Sequence, residues 1–130
     1  MKKVMVCVIP VFLAGITLSH AGFVAKIDSD STAKKCEVLG RRVLNIAATE
    51  NTYSCEGDVK ASGIALQEAG RRLKSYNFEQ AFRYLKIAEH TLTDVFEQRQ
   101  FCSYFSPRVK LSLDEIINLH REIPIDERVV

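Results

Sequence analysis

From Cys36 to Ile123 the apolar residues recur at intervals of three and four, the spacing of one face of an α-helix, with short polar breaks between runs. Cys36, Leu39, Val43 and Ile46 with Ala47 mark a first helix, and Asp28, Asp30 and Ser31 can each cap its start. Residues 49–54 (TENTYS) read as a loop. Val59, Ser62, Leu66, Ala69, Leu73 and Tyr76 form a second run. Asn77-Phe78-Glu79-Gln80 then reads as a cap with glutamine three residues on. The third run is Phe78, Ala81, Leu85, Ala88, Leu92, Val95 and Arg99. Pro107 is expected in a loop. Ser112-Leu113-Asp114-Glu115 reads as the capping box of a short fourth helix carrying Leu113, Ile116, Ile117, Leu119 and Ile123. Pro124 stops that helix, and residues 124–130 are expected to fray. No stretch alternates with period two for long. The best strand candidate, residues 104–111, has Pro107 in its middle.

Only a turn at Asn77 separates the second and third runs, so they are expected to lie antiparallel. Asn77 to Phe82 with Ala88 resembles the middle of a tetratricopeptide-type hairpin, in which an aromatic residue and two alanines seven apart let helices approach closely. The resemblance spans about fifteen residues. Glu68 and Arg72 stand where that pattern wants apolar side chains, and no second repeat follows, whereas such arrays need about three. A generic helical hairpin is the better description. Gly63, Ala69 and Gly70 fit it, because a helical glycine costs about 1 kcal/mol against alanine and close packing is a reason to keep one. The expected fold is all-α: a small antiparallel bundle of about four helices built on this central hairpin.

The first residues read as an address. Met1-Lys2-Lys3 is basic, residues 4–18 are apolar apart from Pro10, Gly15 and Thr17, and Ser19-His20-Ala21 puts small residues at the −3 and −1 positions of a cut after Ala21. This is the pattern of a secretory signal peptide of bacterial style. A spanning helix needs about 20 apolar residues, so stable membrane insertion after cleavage is not expected. Cys7 lies near the start of the apolar run, whereas a lipidated cysteine ends it. The expected organisation is a signal peptide over residues 1–21, a lead-in over 22–30, a helical bundle over 31–123 and a tail over 124–130. The expected location is periplasmic or secreted.

Removing the leader changes two counts. The chain has 18 Lys and Arg against 16 Asp and Glu, and both surplus cations are Lys2 and Lys3. A mature chain of zero net charge argues against a nucleic-acid partner. Cys36, Cys55 and Cys102 remain, in a compartment where disulfides persist. The second helix leaves Cys55 and the third returns to Cys102, and each leg is about 30 Å at 1.5 Å per residue. Both cysteines should therefore reach one end of the hairpin and pair. Cys36 should lie about 15 Å below that end, beyond the roughly 7 Å within which a bridge closes. It is expected as an unpaired thiol, with a bridge between two Cys36 residues as a route to a dimer.

Motifs for catalysis are missing: there is no C-x-x-C, G-x-S-x-G, H-E-x-x-H or glycine-rich phosphate loop. His90 and Asp94, four apart, make half a metal site, but the apolar stripe through Ala88 and Leu92 turns them outward. His120 is expected as a solvated edge residue. No catalytic residue, metal or cofactor is expected. Arg71, Arg72 and Lys74 form a basic helix end, suited to the helix dipole or to an anionic partner. Tyr53, Phe101, Tyr104 and Phe105 flank the two paired cysteines and should gather at one end, either as a lid on the core or as a patch for a protein partner. The expected function is that of an exported, non-catalytic protein that binds a protein partner in the cell envelope, of adaptor, chaperone-like, inhibitor or immunity type. An effector secreted onward is the alternative, and a small periplasmic enzyme the third.

Overall fold

The structure, a computed structural model, describes residues 17–48 and 53–123, and for residues 17–28 the helical backbone alone. The n-region and most of the apolar run of the leader, part of the 49–54 loop and the tail 124–130 lie outside the described residues. Within them the chain forms four helices and no strand: α1 (Thr17–Ala47), α2 (Glu56–Lys74), α3 (Phe78–Glu97) and α4 (Ser106–Glu122). No described helix is long and apolar enough to cross a membrane.

Each helix packs on the next, and α4 closes the bundle on α1 more sparsely than successive helices pack. The α1–α2 seam is the closest approach. Ala33 and Gly40, seven apart, face Gly70 and Gly63, seven apart, in antiparallel register. A Cβ on Gly40 would stand 2.9 Å from the Gly63 carbonyl oxygen, and one on Gly70 would stand 3.0 Å from that of Ala33. No side chain fits there. The α1–α4 seam is antiparallel too. Lys35 pairs with Glu122 at 2.8 Å, and seven residues up α1 and down α4, Arg42 pairs with Glu115 at 2.5 Å.

The core is the set of stripes read above. Cys36, Leu39, Val43, Leu66, Leu73, Leu85, Leu92 and Val95 are all fully buried. The turn at Asn77 is built as expected: its side chain accepts from Gln80 N–H at 3.2 Å. Before it, the last turn of α2 closes with Asn77 N–H donating to Arg72 O and Tyr76 N–H to Leu73 O, the paired bonds of a Schellman ending. That ending puts Tyr76 at φ 56 and out in solvent, rather than in the stripe to which its spacing assigned it.

Three boundaries move. α1 does not begin after a cap at residues 28–31. It runs back unbroken to Thr17, so the segment 22–30 is helical and the expected cut after Ala21 falls on helical backbone. Nothing between Thr17 and Ala47 stops a helix; there is no proline. Ser29 and Thr32, beside the expected caps Asp28, Asp30 and Ser31, are buried: Ser29 Oγ donates to Leu73 O and Thr32 Oγ1 to Glu122 Oε2, each at 3.0 Å. α3 ends at Glu97, which leaves Arg99 outside it. α4 starts at Ser106, not at Ser112, with Pro107 in its first turn, where a missing N–H costs nothing. Val109 is fully buried, and Ser112 sits inside the helix, buried.

Candidate functional site

The upper end of the bundle is held by one covalent tie. Cys55, at φ 73 just before α2, is bridged to Cys102 in the α3–α4 connection, with Cα atoms 5.6 Å apart. The connection adds its own bonds: Cys102 N–H donates to Gln98 O at 2.7 Å, and Ser106 Oγ donates to Phe96 O at 2.8 Å. Cys36 is free and lies elsewhere, its Cβ 3.5 Å from the position of a Cβ on Gly70. Gly70 is fifteen residues along α2 from Cys55, about 22 Å down the bundle. Burial pushes the Cys36 thiol up to about 12, with the Glu122 and Glu37 carboxylates adding to the shift. The thiol is protonated and has no exposed surface in the folded chain.

Around the tie, three of the four expected aromatic residues touch. The Tyr53 and Tyr104 rings stack in parallel, 4.0 Å between centroids and 4° between planes. Phe105 meets both edge-on, 6.3 Å from Tyr53 and 5.0 Å from Tyr104. The Arg108 guanidinium lies 3.8 Å from the Tyr104 centroid. Tyr53 already covers one face of that ring, so Arg108 takes the other, and it also donates to Tyr104 O. Phe101 stands out, 66 % exposed, and Tyr53 is 37 % exposed.

Phe105 is the correction within this group. It is fully buried and belongs to the core, so it is no contact residue. The early start of α4 causes this, since Phe105 becomes the residue before the first turn and points where Val109 and Ser112 point. The lid and the patch are thus two layers: Phe105 closes the core, Tyr53 and Tyr104 pack on it from outside, and Phe101 stands out in solvent.

The basic end of α2 is not an open cationic face. Arg71 pairs with Glu68 and Lys74 with Glu37, both at 2.5 Å, and Arg72 has its Nε buried. His90 and Asp94 are an exposed pair at 3.2 Å, and no group of three or more His, Cys, Asp or Glu side chains among the described residues is placed to hold a metal ion. His120 is not solvated, contrary to its expected place at an edge. α4 lays its last turn on α3, which leaves the side chain 15 % exposed, with Nδ1 2.6 Å from Glu89 Oε2 and the ring 5.2 Å from that of Phe82.

The fold and its tie define a class: a small disulfide-bridged antiparallel four-helix bundle. Comparison with family models, with curated proteins and with solved structures finds no match to the chain.

Proposed function

We propose that the protein is exported and acts without catalysis, by binding a protein partner in the cell envelope through its disulfide-tied aromatic end. The observation that carries this reading is the Tyr53–Tyr104 stack, held against Phe105, with Phe101 exposed one residue before the bridged Cys102. Rings held before contact lose little conformational entropy on binding, and tyrosine and phenylalanine are enriched at interface centres. The leader-like N-terminus and the Cys55–Cys102 bridge support export, because such bridges persist in oxidising compartments.

The test is recovery of partners from the native envelope with the wild-type protein and with Phe101→Ala, read by mass spectrometry. Phe101 is the cleaner probe, since Tyr104 also packs on Phe105 and Arg108. A partner recovered by the wild type and lost with Phe101→Ala, at unchanged melting temperature, is the expected result. Equal recovery by both proteins would remove the aromatic end as the contact surface.

A further inference from the structure

We infer that the aromatic end receives an acidic peptide segment of a partner protein, one that carries carboxylates for Arg99 and Arg108 beside an apolar side chain for Phe101. The inference rests on the reading of this end as a contact surface and adds the chemistry of what it contacts. Residues 98–113 hold three cations, Arg99, Arg108 and Lys110, and no carboxylate. Each cation lies on a ring: Arg108 on Tyr104 at 3.8 Å, and Arg99 and Lys110 on Phe96 at 5.3 and 5.7 Å. Lys110 is shared with Asp114. Arg99 and Arg108 have no carboxylate partner among the described residues, in contrast to Lys35, Arg42, Arg71, Lys74 and Arg83.

A guanidinium laid on a ring is ordered before it binds; Arg99 keeps its edge N–H groups for the two-point bond to a carboxylate that arginine favours, and Arg108, which spends one N–H on Tyr104 O, keeps the others. Phe101 and Leu111, 66 % and 65 % exposed, add apolar surface along the same segment. Cations and apolar side chains together fit an acidic chain with an apolar anchor. They also fit an anionic membrane, but Glu56 and Asp58 stand in the first turn of α2 directly after the bridged Cys55, and a continuous anionic surface would meet these carboxylates where a single peptide can pass them.

The test selects a random-peptide phage library on the intact disulfide-bonded protein. Synthetic copies of the enriched peptides are then measured against the wild type, Arg99→Gln/Arg108→Gln, and Phe101→Ala. Both cation positions are exposed, and a melting curve checks the fold of each variant. The expected result is enrichment of Asp and Glu around an apolar residue. Binding should fall about tenfold in the double variant, and fall again when ionic strength rises from about 0.05 to about 0.5 M. Peptides that depend on Phe101 but are not acidic and ignore the double variant would overturn the inference and leave the aromatic contact surface standing. No binders, or binders indifferent to all these substitutions, would overturn both. Phosphatidylglycerol vesicles are the second probe. If they bind the wild type and lose it with the same substitutions while no acidic peptide is selected, the surface is a membrane contact and the inference fails.

Discussion

One substitution made at two glycines of the bundle should change stability in opposite directions. Gly57 lies in the first turn of α2, and a Cβ there meets nothing within 4 Å. Gly57→Ala should therefore gain helix propensity, up to about 1 kcal/mol and less so near a helix end. Gly40→Ala has the same intrinsic gain, but its Cβ would stand 2.9 Å from Gln67 Cγ and 2.9 Å from the Gly63 carbonyl oxygen. The glutamine can swing aside. The carbonyl belongs to the backbone of α2, so α1 and α2 must part by some tenths of an ångström. Overpacking of this kind costs about 1–3 kcal/mol, which outweighs the propensity. The net expectation is a loss of about 0–2 kcal/mol for Gly40→Ala and a gap of about 1–3 kcal/mol between the variants. Each kcal/mol moves the melting temperature of a domain this size by about 4–8 °C, so thermal unfolding followed by circular dichroism resolves the gap. If Gly40→Ala proves as stable as Gly57→Ala, the two helices do not approach as closely as the glycine seam requires.

Leu85→Ala, at a fully buried centre of α3, should cost about 2–5 kcal/mol in urea unfolding, and a cost near zero would mean that α3 turns a different face inward. Replacing both Cys55 and Cys102 by serine opens a loop of sequence separation 47 and should lower stability by about 4 kcal/mol in the chain-entropy model, with the reduced wild type falling to match. Burial raises the pKa of Glu122, but the hydrogen bonds from Lys35 and Thr32 outweigh it and hold the carboxyl below its usual 4.5. A depressed folded-state pKa stabilises above the unfolded value and is lost as pH falls through the folded one. Thr32→Val should therefore cost up to about 1 kcal/mol at pH 7 for this partly exposed cluster, and the difference from wild type should shrink below about pH 4. A cost independent of pH would place the effect in packing rather than in the carboxylate.

The helices were legible where one residue type did one job. Leu66, Leu73, Leu85 and Leu92 repeat at the period of a buried stripe, and all four are fully buried. The ends were less legible, because a polar side chain near a helix start has two uses. α1 runs straight through the expected caps Asp28, Asp30 and Ser31, and the neighbouring Ser29 and Thr32 spend their hydroxyls on Leu73 O and Glu122, bonds that exist only once α2 and α4 have come back alongside. Ser112 misled for another reason: its capping-box pattern is intact, but the helix had already started six residues earlier. The glycines were legible as a sign of close packing on α2. Their partners on α1, Ala33 and Gly40, emerge only when the two seven-residue spacings are set in antiparallel register.

The candidate site depends on the boundary that the sequence pattern misplaced. Reading Pro107 as a loop residue leaves the segment from Cys102 to Leu111 as a bridge-held loop with its aromatic residues equivalent. A proline is equally at home in the first turn of a helix, and choosing that alternative fixes which way each neighbour points. Phe105 then turns in with Val109, and Arg108 turns back over the Tyr104 ring. The pairing of Cys55 with Cys102 followed from leg length alone, whereas the stacking of Tyr53 on Tyr104 follows from the pairing. Two residues 51 apart in the chain meet because each lies two positions from a bridged cysteine. Reducing the bridge should free Tyr53 from Tyr104 while leaving α4 and Phe105 in the core, so partner binding should weaken before the helices melt. In mild reductant, loss of binding at full helical signal is the expected order, read by near-ultraviolet and far-ultraviolet circular dichroism beside a binding measurement. If binding persists until helicity collapses, the stacked pair is not part of the contact.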